Sequence, residues 1–161
     1  MNRKVIIDIE NQCLHFSAAH FTIFSSTERE RLHGHNYTVR AKVESAIHSK
    51  GMAFDYNRLK HALHSRCKTL DEYTLLPGNS EYLKVADEGE YYSASFNGQK
   101  MLLLKTDTRV LPMENISVEE LGHYIIDQLQ SDGLMSELNI KRMELSVASG
   151  PGQRVVSLYE R

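Results

Sequence analysis

The chain has 161 residues, 41% of them hydrophobic and 25% charged, which suits one globular domain with its own core and excludes a disordered or fibrous protein. A formal net charge of −2 gives no basic field for nucleic acid, and no polybasic run stands beside an amphipathic stretch, so neither nucleic acid nor membrane is an expected partner. Cys13 and Cys67 are too few and too far apart for a disulfide framework, which points to free thiols and the cytoplasm. The apolar run Val5-Ile6-Ile7 is broken by Asp8, too soon for a signal peptide or a membrane span.

Val5 to His20 mixes alternation with β-branched residues and reads as a strand, and His35 to Val43 (HNYTVRAKV) alternates more cleanly. The two suggest a long antiparallel hairpin joined by the polar loop Ser25 to Arg31. Asp55 then reads as an N-cap, followed by Leu59, Ala62, Leu63 and Cys67 at helical spacing. Between Leu75 and Leu111 the pattern changes: Tyr91–Phe96 and Gln99–Leu104 flank Asn97-Gly98, a strong hairpin-turn signal, so this region reads as an inserted β-hairpin. Ser117 to Glu120 fits a capping box, and Val118, Leu121, Ile125 and Leu129 form one face of a second helix running to about Ser131. Lys141–Ala148 and Arg154–Tyr159 are two more strands, separated by the turn residues Ser149-Gly150-Pro151-Gly152. The order β-β-α-(insert)-α-β-β implies an α+β domain with its helices on one face of the sheet.

Chemistry concentrates in one region. His33-Gly34-His35 sits at a strand entry, where residues two apart share a face, so both imidazoles can meet at one point. His20 ends the preceding strand, and a hairpin brings it beside that pair, giving three neutral nitrogens and an open fourth position as catalytic zinc requires. A bare His-x-His is also common without a metal. His15 has the opposite strand parity to His20 and faces away; His61, His64 and His123 read as helix-surface residues, and His48 as a loop residue.

FSAAH (Phe16–His20) followed by LHGHNY (Leu32–Tyr37) resembles the zinc signature of the family of 6-pyruvoyl-tetrahydropterin and 6-carboxytetrahydropterin synthases. GMAFDYNRLK from Gly51, Leu70-Asp71, and ENISVEEL (Glu114–Leu121), with Glu119 at its glutamate, are similar to further segments of that family. The resemblance spans residues 1–161 as one domain, apart from the insert at about 77–110. It implies the tunnelling fold, in which subunits join their sheets into a barrel, commonly a homohexamer of two trimers. It also implies zinc held by His20, His33 and His35, and a pterin-like substrate such as 7,8-dihydroneopterin or its triphosphate.

Three departures accompany the resemblance. The family's catalytic cysteine before the His-Gly-His run is absent, its histidine after Leu-Asp is Glu72, and its pterin-anchoring glutamate of the third strand is Ala148 or Ser149. Glu30 stands three residues before His33, where a branch of the family carries a glutamate and cleaves the side chain to 6-hydroxymethyl-7,8-dihydropterin. The resemblance thus implies Glu30 as base, Asp71 and Glu72 as further proton carriers, and Glu119 or Ser149 as substrate contacts. Three readings stand side by side: a zinc-dependent lyase or aldolase on a pterin side chain, a silent zinc-binding relative with another ligand or a protein partner, and a zinc hydrolase.

Overall fold

Alternating apolar residues over a long stretch can bury one face of a strand only while the period of two is kept, and the first strand breaks that period once. In the computed structural model, which describes residues 3–161, β1 spans Lys4–His20 and buries odd-numbered Ile9 but even-numbered Leu14, Phe16, Ala18 and His20. The switch comes from a bulge: against β2 (His33–Ala46), Glu10 pairs with Arg40 but His15 already pairs with Thr38. Inside it the Asn11 side chain accepts the Cys13 amide at 3.0 Å. Beyond it the register runs through Phe16↔Tyr37 and Ala18↔His35 to His20↔His33.

After β2 the chain continues through α1 (Tyr56–Leu70), β3 (Tyr73–Pro77), β4 (Lys84–Glu88), β5 (Tyr91–Phe96), β6 (Gln99–Leu104), β7 (Thr108–Leu111), α2 (Val118–Ser131), the single turn α3 (Leu134–Glu137), β8 (Arg142–Ala148) and β9 (Val155–Glu160). Both expected helix starts are capped: Asp55 accepts the Asn57 amide and Ser117 the Glu120 amide. The main sheet has the order β7-β3-β1-β2-β8-β9, antiparallel except where β3 pairs in parallel with β1 and β7. One sheet face carries Phe16, Tyr37, Val39, Met143 and Leu145, onto which α1 sets Leu59, Leu63 and Cys67 and α2 sets Leu121, Ile125 and Leu129. Gly122 lets α2 lie close, because a Cβ there would run into the Ser157 hydroxyl of β9.

The insert holds the expected hairpin, β5-β6, whose turn puts Asn97 and Gly98 at φ 46 and 74. β4 adds a third strand, making a separate β4-β5-β6 sheet, and its flanks rejoin the main sheet as β3 and β7. This sheet rests on a satellite core of Phe21, Ile23, Leu76, Leu83, Ala94 and Phe96. No helix among the described residues is long and apolar enough to cross a membrane.

Asp71 ties α1 to β1. One carboxylate oxygen accepts the Ser17 amide at 2.9 Å and the other faces Lys68 Nζ at 3.1 Å, while the Glu72 amide donates to Ser17 O at 2.7 Å. The Ser17 amide, more than Lys68, holds the Asp71 carboxyl below its usual range. A group with a lowered folded pKa stabilises the fold above its unfolded value, about 3.9, and loses that contribution as pH falls through the folded value. Asp71→Asn should therefore cost about 1 kcal/mol of unfolding free energy at neutral pH, with the deficit narrowing as pH drops below about 4. Urea titrations of both proteins across pH measure this; a deficit unchanged down to about pH 3 would assign the effect to something other than the ionised carboxylate.

Candidate metal centre

Beyond the bulge, the pairing of His20 with His33, and of His35 with Ala18, sets the three imidazoles on the helix-facing side of the β1-β2 hairpin, at its end. One ring nitrogen from each lies within 4.8 Å of the other two. Nε2 of His33 and Nε2 of His35 are 3.0 Å apart, close to the roughly 3.3 Å between two nitrogens on a tetrahedral zinc. In two of the rings the opposite nitrogen is committed: Nδ1 of His20 donates to Ile116 O at 2.8 Å, and Nδ1 of His33 to Arg31 O at 2.7 Å. With Nδ1 protonated, each Nε2 presents a lone pair to the same point, as outer hydrogen bonds do for metal-ligating histidines.

Nε2 of His20 is buried and has no hydrogen-bond partner among the described residues. An orphaned buried acceptor calls for an explanation, and a cation bound between the rings supplies one. Burial, more than the neighbouring His33 and His35, lowers the His20 pKa despite the Ile116 bond, which keeps the ring neutral as a ligand must be. Below the rings, Phe16 and Tyr37 stack with centroids 4.8 Å apart at 14°, a floor for the site. Burial pushes the Tyr37 phenol up, so it stays protonated.

The loop between His20 and His33 folds back on itself. Glu30 donates its amide to Thr22 O at 2.8 Å, and its Oε2 accepts the Thr22 amide at 2.9 Å, so main chain and carboxylate are pinned by one residue. This sets Glu30 Oε2 3.9 Å from His33 Nε2. Partial burial alone pushes the Glu30 carboxyl up, but hydrogen bonding from Thr22 and the nearby His33 and His20 outweigh it and hold the carboxyl below its usual range. On the other side Asn115 clamps Ile23, taking its amide at 3.1 Å and donating to its carbonyl at 2.8 Å. Asn115, Ile116 and Thr22 were not among the residues expected from the sequence; the one signal was the Asn in ENISVEEL, a segment read for its glutamate.

The remaining expected residues stand apart from the three rings. Glu72, at φ 65, lines a cavity of about 500 Å³ with Ser17, Asn36, Thr74, Asp107 and His35. Asp71 is engaged with Ser17 and Lys68. Glu119 is exposed in the first turn of α2, and Ser149 is half-buried just after β8.

Residues 9–156 match the family described as 6-pyruvoyl tetrahydropterin synthase. A protein of Pyrococcus horikoshii with the provisional name 6-carboxy-5,6,7,8-tetrahydropterin synthase is 21% identical over 137 residues, covering 84% of this chain and 80% of that one. The structure of Plasmodium falciparum 6-pyruvoyl tetrahydropterin synthase superposes with a TM-score of 0.91 at 29% identity, over 99% of this chain and 100% of that chain. The Plasmodium vivax enzyme does so with a TM-score of 0.92 at 27% identity and the same coverage. Two further structures of the latter replace a glutamate described as its catalytic residue with cysteine or alanine. By the extent of the match, the chain belongs to the 6-pyruvoyl tetrahydropterin synthase family.

Proposed function

We propose that this chain is a zinc-dependent lyase that cleaves the side chain of a dihydroneopterin-like pterin, with Glu30 as its base. The observation that carries the reading is the pinned Glu30 carboxylate beside His33 Nε2. The catalytic glutamate of the Plasmodium vivax relative supports it. His20, His33 and His35 would hold the zinc, which makes a side-chain hydroxyl presented to it more acidic.

The steps left to the chain are proton transfers. Glu30, ionised at neutral pH, accepts the proton of the hydroxyl carried by the far carbon of the bond to be cut. The oxygen's electron pair becomes a carbonyl, the adjacent carbon–carbon bond breaks, and its electrons pass into the C=N of the dihydropterin ring. A proton returned to the freed carbon leaves 6-hydroxymethyl-7,8-dihydropterin, and a short hydroxyaldehyde departs. Asp71 positions Ser17 and Glu72, and Glu72, in the cavity beside His35, is the second carboxylate of this reading. Glu119 and, nearer Ile116 in the chain, Glu114 offer carboxylates to the donor edge of the pterin ring, and Ser149 a hydroxyl.

The assembly follows from unpaired backbone. β1 is paired along one edge by β2, while on the other, among the described residues, it pairs with β3 at Ala18 and Ala19 and is held at Ser17 by Asp71 and Glu72, so the part of that edge before Ser17 is open, as is the outer edge of β9. Such edges recruit further strands, and a cyclic assembly closes them. A homohexamer acting in the cytoplasm is the reading that fits the family.

Three measurements check this. The purified protein should bind about one zinc per chain, and the double substitution His33→Ala/His35→Ala should abolish it; full zinc occupancy in that variant would overturn the site. Light scattering should give a closed oligomer, whereas a stable monomer at micromolar concentration contradicts the assembly. Glu30→Gln should keep zinc while turnover of 7,8-dihydroneopterin or its triphosphate, followed by mass spectrometry, falls on the order of 100-fold or more. Wild-type turnover in Glu30→Gln together with its loss in Glu72→Gln would transfer the role of base to Glu72.

A further inference from the structure

Beside the satellite core that the β4-β5-β6 insert shares with Phe21 and Ile23, one further contact joins it to the loop that carries Glu30, and that contact is built from unlike parts. The Arg29 guanidinium stands over the Phe21 ring at 4.9 Å and over the Phe96 ring at 5.7 Å. Phe21 directly follows His20, and Phe96 ends β5 at the hairpin tip. The same guanidinium donates through Nη1 to Glu30 O at 2.8 Å. Arg29 is thus joined at once to the segment leaving the metal ligand, to the insert and to the backbone of Glu30.

We infer that the insert is a brace for the base, and that Arg29 is the positioning residue through which it acts. The inference rests on the reading of Glu30 as base. Hairpin tips are ordinarily mobile, but this one has a two-residue turn with both central residues in the left-handed region and the Phe96↔Gln99 pair closing it. Phe96 itself is buried in the satellite core with Phe21 and Ile23. The ring is therefore a fixed surface, and a cation held over two ring faces loses freedom in two directions. The Thr22–Glu30 bonds and the Ile23↔Arg29 bridge carry that order to the carboxylate.

A cavity of about 700 Å³ lies between the loop and the tip, lined by Phe24, Arg29, Glu30, Arg31, Phe96 and Gln99, among others. The insert thus walls one side of a space that Glu30 also lines. A loop carrying a base beside open space needs such support, because its own backbone bonds are few and each fluctuation moves the carboxylate away from His33.

The test is hydrogen exchange by mass spectrometry on the zinc-loaded protein, comparing wild type with Arg29→Ala, Arg29→Lys and Phe96→Leu, with steady-state kinetics on 7,8-dihydroneopterin alongside. Arg29→Ala should speed exchange at the Thr22 and Glu30 amides and at the tip, residues 96–99, by about five-fold, with α1, β8 and zinc content as in wild type. Phe96→Leu should do the same, and the double variant should add little to either single one. Arg29→Lys should recover part of the protection, and kcat should fall in Arg29→Ala with KM nearly unchanged. Wild-type exchange at Thr22 and Glu30 in Arg29→Ala, acceleration of the loop without the tip, or a uniform rise through α1 and β8 would each overturn the brace. Exchange decides this even if the wild-type protein turns over no pterin, an outcome that would sink the proposed function alone.

Discussion

The bulge in β1 is the constraint on which the site depends. A strand of strict period two could bury Ile9 or His20 on the helix-facing side, but not both, since their positions differ in parity. The advance from Glu10 to His15 against only Arg40 to Thr38 resolves the conflict and returns β1 to a register in which His20 lies opposite His33. Without it His20 would point to the sheet's other face, and the hairpin would supply only the His-x-His pair. Three converging imidazoles from two strands thus follow from one irregularity, which stands far enough away that the stacked Phe16 and Tyr37 separate it from the rings.

The second requirement is electrostatic. Neutral imidazoles whose lone pairs meet repel one another unless something positive lies between them, so their approach has to be enforced by groups outside. Ile116 O and Arg31 O do this from opposite sides, one from the approach to α2 and one from the loop, each fixing a tautomer through Nδ1. The histidine cluster therefore joins three separate stretches of chain, around residues 20, 31–35 and 116. A cation held by the three rings would couple its binding to the docking of α2, because loss of the Ile116 contact frees the His20 ring.

Much of this was legible from local signals. His-x-His at a strand entry, the alternation of the first two strands, Asn97-Gly98, and the Asp55 and Ser117 caps are short-range patterns with short-range causes, and each appears where expected. The opposite facing of His15 was readable from parity, for it is exposed while Phe16 is buried. What escaped was non-local. β3 and β7 are short and pair in parallel with partners far along the chain, so neither carries alternation long enough to register. α3 is a single turn, and the Asn115 clamp on Ile23 spans most of the chain. An Asn that satisfies both backbone groups of a distant residue leaves no trace in its neighbours.

Asp71 and Glu30 show why the surroundings of carboxylates are harder to read from sequence than the clustering of the histidines. Both lie in charged surroundings, both accept a backbone amide, and both are held below the usual carboxylate range. The difference is what each oxygen faces. In Asp71 one oxygen takes the Ser17 amide and the other Lys68, so both are occupied by the fold. In Glu30 the oxygen that takes the Thr22 amide is also the one facing His33, and the residue borders an open cavity. The Asp71 carboxylate bridges an amide and an ammonium and so links β1 to α1, whereas the Glu30 carboxylate faces His33 from a loop held by Thr22. No feature of the two residues' sequence neighbourhoods encodes that distinction, which arises only when the loop closes on Thr22.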